Sequence, residues 1–137
     1  MFAKIMIPVD LAHTEQMGKA LEVAAETAKL HGAEACLVGV TQSAPTDIAP
    51  NPEAFAERLA GFAAERSEGL GVPFKTHSEV SHDISVELET MLTRAADTIG
   101  ADLIVMASHK PGLAEHIFAS HAGYLASHAD MSVFVVR

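Results

Sequence analysis

The chain has 137 residues, 49% hydrophobic and 20% charged, with 18 acidic residues against 9 basic ones and a formal net charge of −9. This is the composition of a globular chain long enough to bury a real core, and its length fits one domain spanning residues 1–137. The excess of acid without a basic cluster argues against a nucleic-acid partner, whose phosphates it would repel, and no run approaches the ~20 apolar residues of a membrane span.

The amino-terminal MFAKIMIPVD lacks a signal-peptide pattern, so a cytoplasmic protein is expected. Within it, Ala3 to Val9 reads as a strand with Pro8 near its end, where a missing backbone donor does the least harm, and Asp10 follows directly. From Thr14 the period becomes helical, with Met17, Leu21, Ala24 and Ala28 on one face and Gly32 as the stop. Ala35 to Val40 is the second strand. It holds the single cysteine, Cys36, which excludes an internal disulfide framework and is expected to be a buried small hydrophobe.

A proline-containing loop from Thr41 leads to Asn51, a helix N-cap followed by Pro52, and Phe55, Leu59 and Phe62 mark the buried stripe of the second helix. Gly69 and Gly71 end it. Val72 to Val80 is a more polar strand, placed nearer a sheet edge. Asp83 caps a third helix with Ile84, Leu88, Leu92, Ala95 and Ile99 on one side, stopped by Gly100.

The last third, from Ala101, runs strand (Leu103–Ala107), loop (Ser108-His109-Lys110-Pro111-Gly112), helix, strand (Val133–Val136). Strictly alternating strands and helices favour an α/β architecture of parallel strands joined by right-handed crossovers. Continuous Val-rich strands suit a sheet covered on both faces, and the loop after Ala107 opens where such sheets place their ligands.

Three stretches, IMIPVD, GADLIVMASHKPG and ASHAGYLASHADMSVFVVR, resemble the universal stress protein family, and the element order matches over the whole chain. Many members carry G-x2-G-x9-G-[ST] between the fourth strand and fourth helix. A subgroup replaces its front half with A-S-H-[RK]-P, as in Ala107-Ser108-His109-Lys110-Pro111; Ala119-Ser120 stands where glycine-serine is expected. The resemblance implies a doubly wound, five-stranded, mostly parallel sheet in the order 3-2-1-4-5 with helices on both faces. It implies a crevice at the C-terminal ends of strands one and four that takes ATP or a related adenine nucleotide in a stress sensor or regulator.

By the same resemblance Pro8, Val9 and Asp10 flank the adenosine, with Asp10 accepting hydrogen bonds from it. Val40 touches the adenine, Met106 and Ala107 line the other wall, and Ser120 with the backbone around it, from Ala119 to His121, meets the phosphates. A homodimer joined through the last strand, Val133–Val136, is also implied. The residues add to this: Ser120 suits an N-cap or a phosphate donor, and Lys110, the one Lys or Arg between Ala101 and Arg137, is the natural counter-charge. His109 or His121, next to that site, is expected to adjust anion affinity near neutral pH.

Position 119 keeps a second expectation open. If the backbone there must take φ > 0, alanine costs about 1–2 kcal/mol and its methyl obstructs a phosphate. The protein would then be an interaction module whose crevice is closed or holds another small ligand.

Other chemistry finds less support. There is no G-x4-G-K-[ST] P-loop and no G-x-S-x-G elbow, and the adjacent Ser-His pairs point in different directions. His109, His116, His121 and His128 are spaced seven, five and seven apart, which fits no i,i+4 chelating pair, so no metal site is expected. No residue stands out as a general base, leaving slow ATP hydrolysis as the one enzymatic expectation and the part of magnesium open.

Overall fold

The computed structural model describes residues 1–108 and 117–137, with the backbone alone over 117–120. In chain order the elements are β1 (Lys4–Pro8), a 3-10 turn (Thr14–Gln16), α1 (Gly18–His31), β2 (Glu34–Gln42), α2 (Pro52–Leu70), β3 (Phe74–Ser81), α3 (Ile84–Ile99), β4 (Leu103–Ala107), α4 (Ile117–His128) and β5 (Ser132–Val136). The strands form one sheet in the order β3-β2-β1-β4-β5, with every neighbouring pair parallel.

This order dictates where the helices lie. The chain steps from β1 through β2 to β3 in one direction and from β3 across to β4 and β5 in the other. Right-handed crossovers therefore send α1 and α2 to one face and α3 and α4 to the opposite face. Alternating strand residues divide accordingly. Ile5, Ile7, Leu37 and Val105 pack with Leu21 of α1 and Leu59 of α2, while Met6, Val38, Ile104 and Met106 pack with Leu92 of α3 and Leu125 of α4. Both faces being covered is why the central strands read as unbroken apolar runs.

Local chemistry fixes the helix ends. The Asn51 side chain accepts a hydrogen bond from the Ala54 N–H at 2.8 Å, with Pro52 as the first residue of α2. At α3 the Asp83 carboxylate accepts from the Ser85 N–H, while Glu87 reaches back to accept from the N–H groups of Asp83 and His82 and from the Ser81 hydroxyl. These bonds, the Asp83 N–H foremost, hold the Glu87 carboxyl below its usual range despite partial desolvation. Gly32, Gly71 and Gly100 terminate α1, α2 and α3 at φ of 63°, 68° and 72°, the left-handed region that glycine enters freely.

Four details differ from the sequence reading. The first helix starts at Gly18, because Thr14–Gln16 form a 3-10 turn whose flanking His13 supplies no side-chain cap. In α2 the buried stripe continues from Phe55 and Leu59 to Ala63, while Phe62 is half-buried with the Arg66 guanidinium 5.2 Å above its ring. Cys36 is half-buried, and that burial pushes its thiol pKa up. Ser120 lies inside α4, so it is not that helix's N-cap. The polar β3 is an edge strand as expected, and β5 forms the other edge.

Candidate functional site

The site begins with a change of partners along β1. On one side β1 pairs with β2 from Lys4↔Glu34 to Pro8↔Val38, and the Val9 N–H donates to the Val38 carbonyl at 2.8 Å. On the other side it pairs with β4 only at Ile5↔Leu103 and Met6↔Ile104. Because backbone groups alternate sides along a strand, the Pro8 nitrogen is aimed toward β4, past the point where pairing has ended. Proline's missing donor is harmless there. Meanwhile β4 stays paired with β5 through Ala107↔Val136, and the Ser108 N–H donates to the Val136 carbonyl at 2.7 Å. Connections leave β1 and β4 in opposite directions, which makes this the topological switch point of the sheet.

Beside it, at the C-terminal ends of β1 and β2, lies an open-sided cavity of about 140 Å³. Its apolar wall includes Val9 and Leu11 after β1, Val40 on β2, Ile48 in the loop before α2, Phe55 on α2 and Leu88 on α3. The polar contribution is Asp10, Thr41 and Thr46. Among these wall residues Asp10 is the one charged group, and none is cationic.

Asp10 is tied into its own loop. One carboxylate oxygen accepts from the Ala12 N–H at 3.0 Å, the other lies 2.8 Å from Nδ1 of His13, and the Asp10 carbonyl accepts from the His13 N–H at 3.0 Å. Each oxygen keeps a further lone pair, so the group can still accept from a ligand. Across the cavity, Thr46 organises the loop before α2. Its hydroxyl accepts from the N–H groups of Ile48 and Ala49, each at 3.2 Å, while Arg58 on α2 donates to the Ile48 carbonyl at 2.8 Å. The loop is thereby fastened to the helix it precedes.

The expected site residues separate into groups. Val9, Asp10 and Val40 line the cavity, with Pro8 at the end of β1 leading into it. Met106 is fully buried against the helices on the α3/α4 face and Ala107 is 5% exposed on the other; neither belongs to the cavity wall. His109 and Lys110 lie outside the described residues, and Ala119 and Ser120 are placed only as backbone within α4. His121 is turned to α3, its Nδ1 2.7 Å from a Glu89 carboxylate oxygen, an interhelical pair apart from the cavity.

The sequence reading missed Leu11, Ala12, Thr41, Thr46 and Ile48 as wall residues and took Phe55, Ile84 and Leu88 for core alone. Phe55 and Leu88 are core residues as well, so periodicity cannot reveal their second role. The pairing of Thr46 and Ile48 in a proline-flanked loop was the one available signal for a structured cover. Among the described residues no three His, Cys, Asp or Glu side chains gather as a metal site, and no helix is long and apolar enough to cross a membrane.

With this geometry in view, comparison with known proteins is decisive for the family: residues 1–137 match the universal stress protein family. The chain belongs to that family. Among similar relatives is universal stress protein G of Shigella flexneri, 28% identical over 142 residues that take in 100% of both chains. Among solved structures, a universal stress protein in complex with cAMP superposes with a TM-score of 0.72 at 16% identity, covering 99% of this chain and 97% of the other. The universal stress protein of Archaeoglobus fulgidus in complex with dAMP gives 0.70 at 21% identity, covering 98% of each. At these identities the two structures establish that this universal stress protein shares their fold; its cavity stands on its own geometry.

Proposed function

We propose that this universal stress protein binds an adenine nucleotide, ATP or a related one, and acts as a nucleotide-responsive sensor or regulator. The observation that carries the reading is the apolar cavity at the switch point with the Asp10 carboxylate on its wall. Its volume is close to the ~150 Å³ at which an apolar cavity takes up a single aromatic ring, and its open side leaves room for more. A flat base between Val9, Val40 and Ile48 would leave the ribose hydroxyls free to donate to Asp10. The phosphates are assigned from the family motif in the sequence alone, to Lys110 and to Ser120 with the backbone beside it. The structural relatives solved with dAMP and cAMP support the choice of ligand class.

The test is thermal unfolding of ligand-free protein with and without AMP, cAMP or ATP. Ligand at ~100 times its dissociation constant stabilises by about 2.7 kcal/mol, a shift of several degrees for a chain of this size. A shift that disappears in Val40→Glu supports the reading; no shift with any of the three nucleotides refutes it.

The proposal takes the protein to be cytoplasmic, where such nucleotides are plentiful; cell fractionation that recovers it elsewhere would contradict this. It also takes the protein to be a homodimer joined at the free edge of β5. Phe134 is 47% exposed there and Leu30 81% exposed, beside an apolar groove that includes Phe2, Val133 and Val135. Sedimentation equilibrium should give a dimer that Phe134→Lys dissociates. A wild-type monomer at micromolar concentration would overturn this part.

A further inference from the structure

A feature of the cavity separate from its nucleotide-family resemblance is the seat of Phe55. Residues 35, 37, 39 and 41 of β2 point to the face covered by α1 and α2, and at Gly39 that face carries no side chain. The Phe55 ring occupies the vacancy. A methyl group at Gly39 would stand 2.8 Å from both Cε1 and Cζ of Phe55 and 3.3 Å from Cδ2 of Leu59. Carbon atoms prefer roughly 3.5–4.0 Å, so the ring can lie where it does only because position 39 is bare backbone.

The ring has few places to go. Phe55 is 5% exposed and Leu59 beside it 1%, so the ring's surroundings are packed core except where it borders the cavity. Its helix is held at the first turn by the Asn51 cap, and Arg58 pins the preceding loop to α2. Backbone position and ring height are therefore both set.

We propose that Phe55, seated on Gly39, is the specificity-determining residue of the cavity: the height of its ring above the sheet fixes how deep a heterocycle enters and which ring substituents are excluded. The proposal rests on the adenine-nucleotide reading for its natural ligand. Shortening the side chain at 55 enlarges the cavity it lines, and a methyl at 39 forces the ring about 1 Å from its seat to regain ordinary contact, which reshapes that wall.

The experiment is calorimetric titration with AMP and with AMP analogues substituted at N6, C2 or C8, so that whichever edge of the base faces Phe55 is sampled. Wild-type protein should bind AMP and discriminate against the analogue whose substituent meets the ring. Phe55→Ala should improve the affinity ratio of that analogue to AMP at least tenfold. Gly39→Ala should weaken AMP at least fivefold, and the double variant Gly39→Ala with Phe55→Leu should recover most of that loss. Phe55→Leu alone carries the test if Phe55→Ala does not fold by circular dichroism.

Unchanged ratios for every analogue in folded Phe55 variants overturn the proposal and leave nucleotide binding standing. If wild type binds no AMP, the nucleotide reading falls instead, and the depth assignment is decided with indole by ligand-observed NMR. Greater uptake by Phe55→Ala or Phe55→Leu and less by Gly39→Ala supports it. Equal uptake by all overturns it.

Discussion

Replacing Asp10 with alanine separates two roles that one carboxylate plays. In the ligand-free protein it holds the loop after β1 through the Ala12 N–H at 3.0 Å and Nδ1 of His13 at 2.8 Å. The Asp10 side chain is 16% exposed; its bond to His13 is partly buried and its bond to the Ala12 N–H faces solvent. Each contributes about 0.5–1.5 kcal/mol, and their joint loss costs about 1–3 kcal/mol. At ~2.1 cal/mol/K for each of 137 residues the unfolding entropy is about 0.29 kcal/mol/K, so the midpoint should fall by roughly 3–10 °C without any ligand. Asp10→Asn keeps an oxygen for the Ala12 N–H and should recover about half of the fall. With nucleotide present, Asp10→Ala should also lose most of the ligand-induced shift, since the ribose acceptor is gone. The assay is thermal unfolding of the three proteins by circular dichroism, each with and without millimolar AMP. A ligand-free Asp10→Ala midpoint within a degree of wild type would refute the claim that this carboxylate organises the loop.

Two further predictions concern the scaffold. Glu79 on β3 is 12% exposed, and although burial opposes its ionisation, hydrogen bonds from Arg94 at 2.6 Å and His77 at 3.0 Å together with their charges outweigh it and hold its carboxyl below the usual range. Since its folded pKa is depressed below an unfolded value of about 4.3, its contribution is present above that pH and is lost as pH falls through the folded value. Glu79→Gln should therefore lower the midpoint at pH 7 by about 3 °C, for ~1 kcal/mol discounted because Arg94 is more than half exposed, and the gap to wild type should narrow as acid protonates Glu79; a gap that does not shrink on acidification would contradict this. Gly61 in α2 and Gly100 after α3 both have open space where a methyl would go, but only Gly100 has positive φ, at 72°. Chemical denaturation should show Gly61→Ala more stable by about 0.5–1 kcal/mol and Gly100→Ala less stable by about 1–2 kcal/mol, and the same sign for both would disprove the backbone argument.

The fold was legible wherever a single physical rule decides the residue. Pro8 could only end β1, Asn51-Pro52 could only open a helix, and the three glycines at 32, 71 and 100 stop helices because each takes a left-handed backbone. Strand order was not readable from composition or spacing. It came from the resemblance, because pairing depends on contacts far apart in sequence. The candidate site was half legible. Val9, Asp10 and Val40, which the family resemblance supplied, line the cavity. Helical period assigned Phe62 to the core, yet the actual stripe advances from Leu59 to Ala63, a one-residue drift that 3.6 residues per turn permits. His121 looked available for phosphate by its place in the chain, but the helix turns it onto Glu89, a contact that only the packing of α3 on α4 creates.

The two walls of the cavity are fixed by different means, and this decides how variants there should be interpreted. Asp10 and Thr46 are held by hydrogen bonds within their own short loops, so changing them perturbs a few residues. Phe55 and Leu88 are also core residues, 5% and 1% exposed, each packed against a strand from opposite faces of the sheet. Truncating either removes support from a helix as well as volume from the wall, at a cost of about 2–5 kcal/mol, comparable with much of the stability of a small domain. A lower affinity in such a variant therefore mixes a smaller folded fraction with a changed site. A change in the ratio of two ligands does not, because unfolding scales both affinities equally. Discrimination between ligands is thus the quantity that reports on Phe55 and Leu88, whereas absolute affinity, corrected for the measured stability, reports on Asp10.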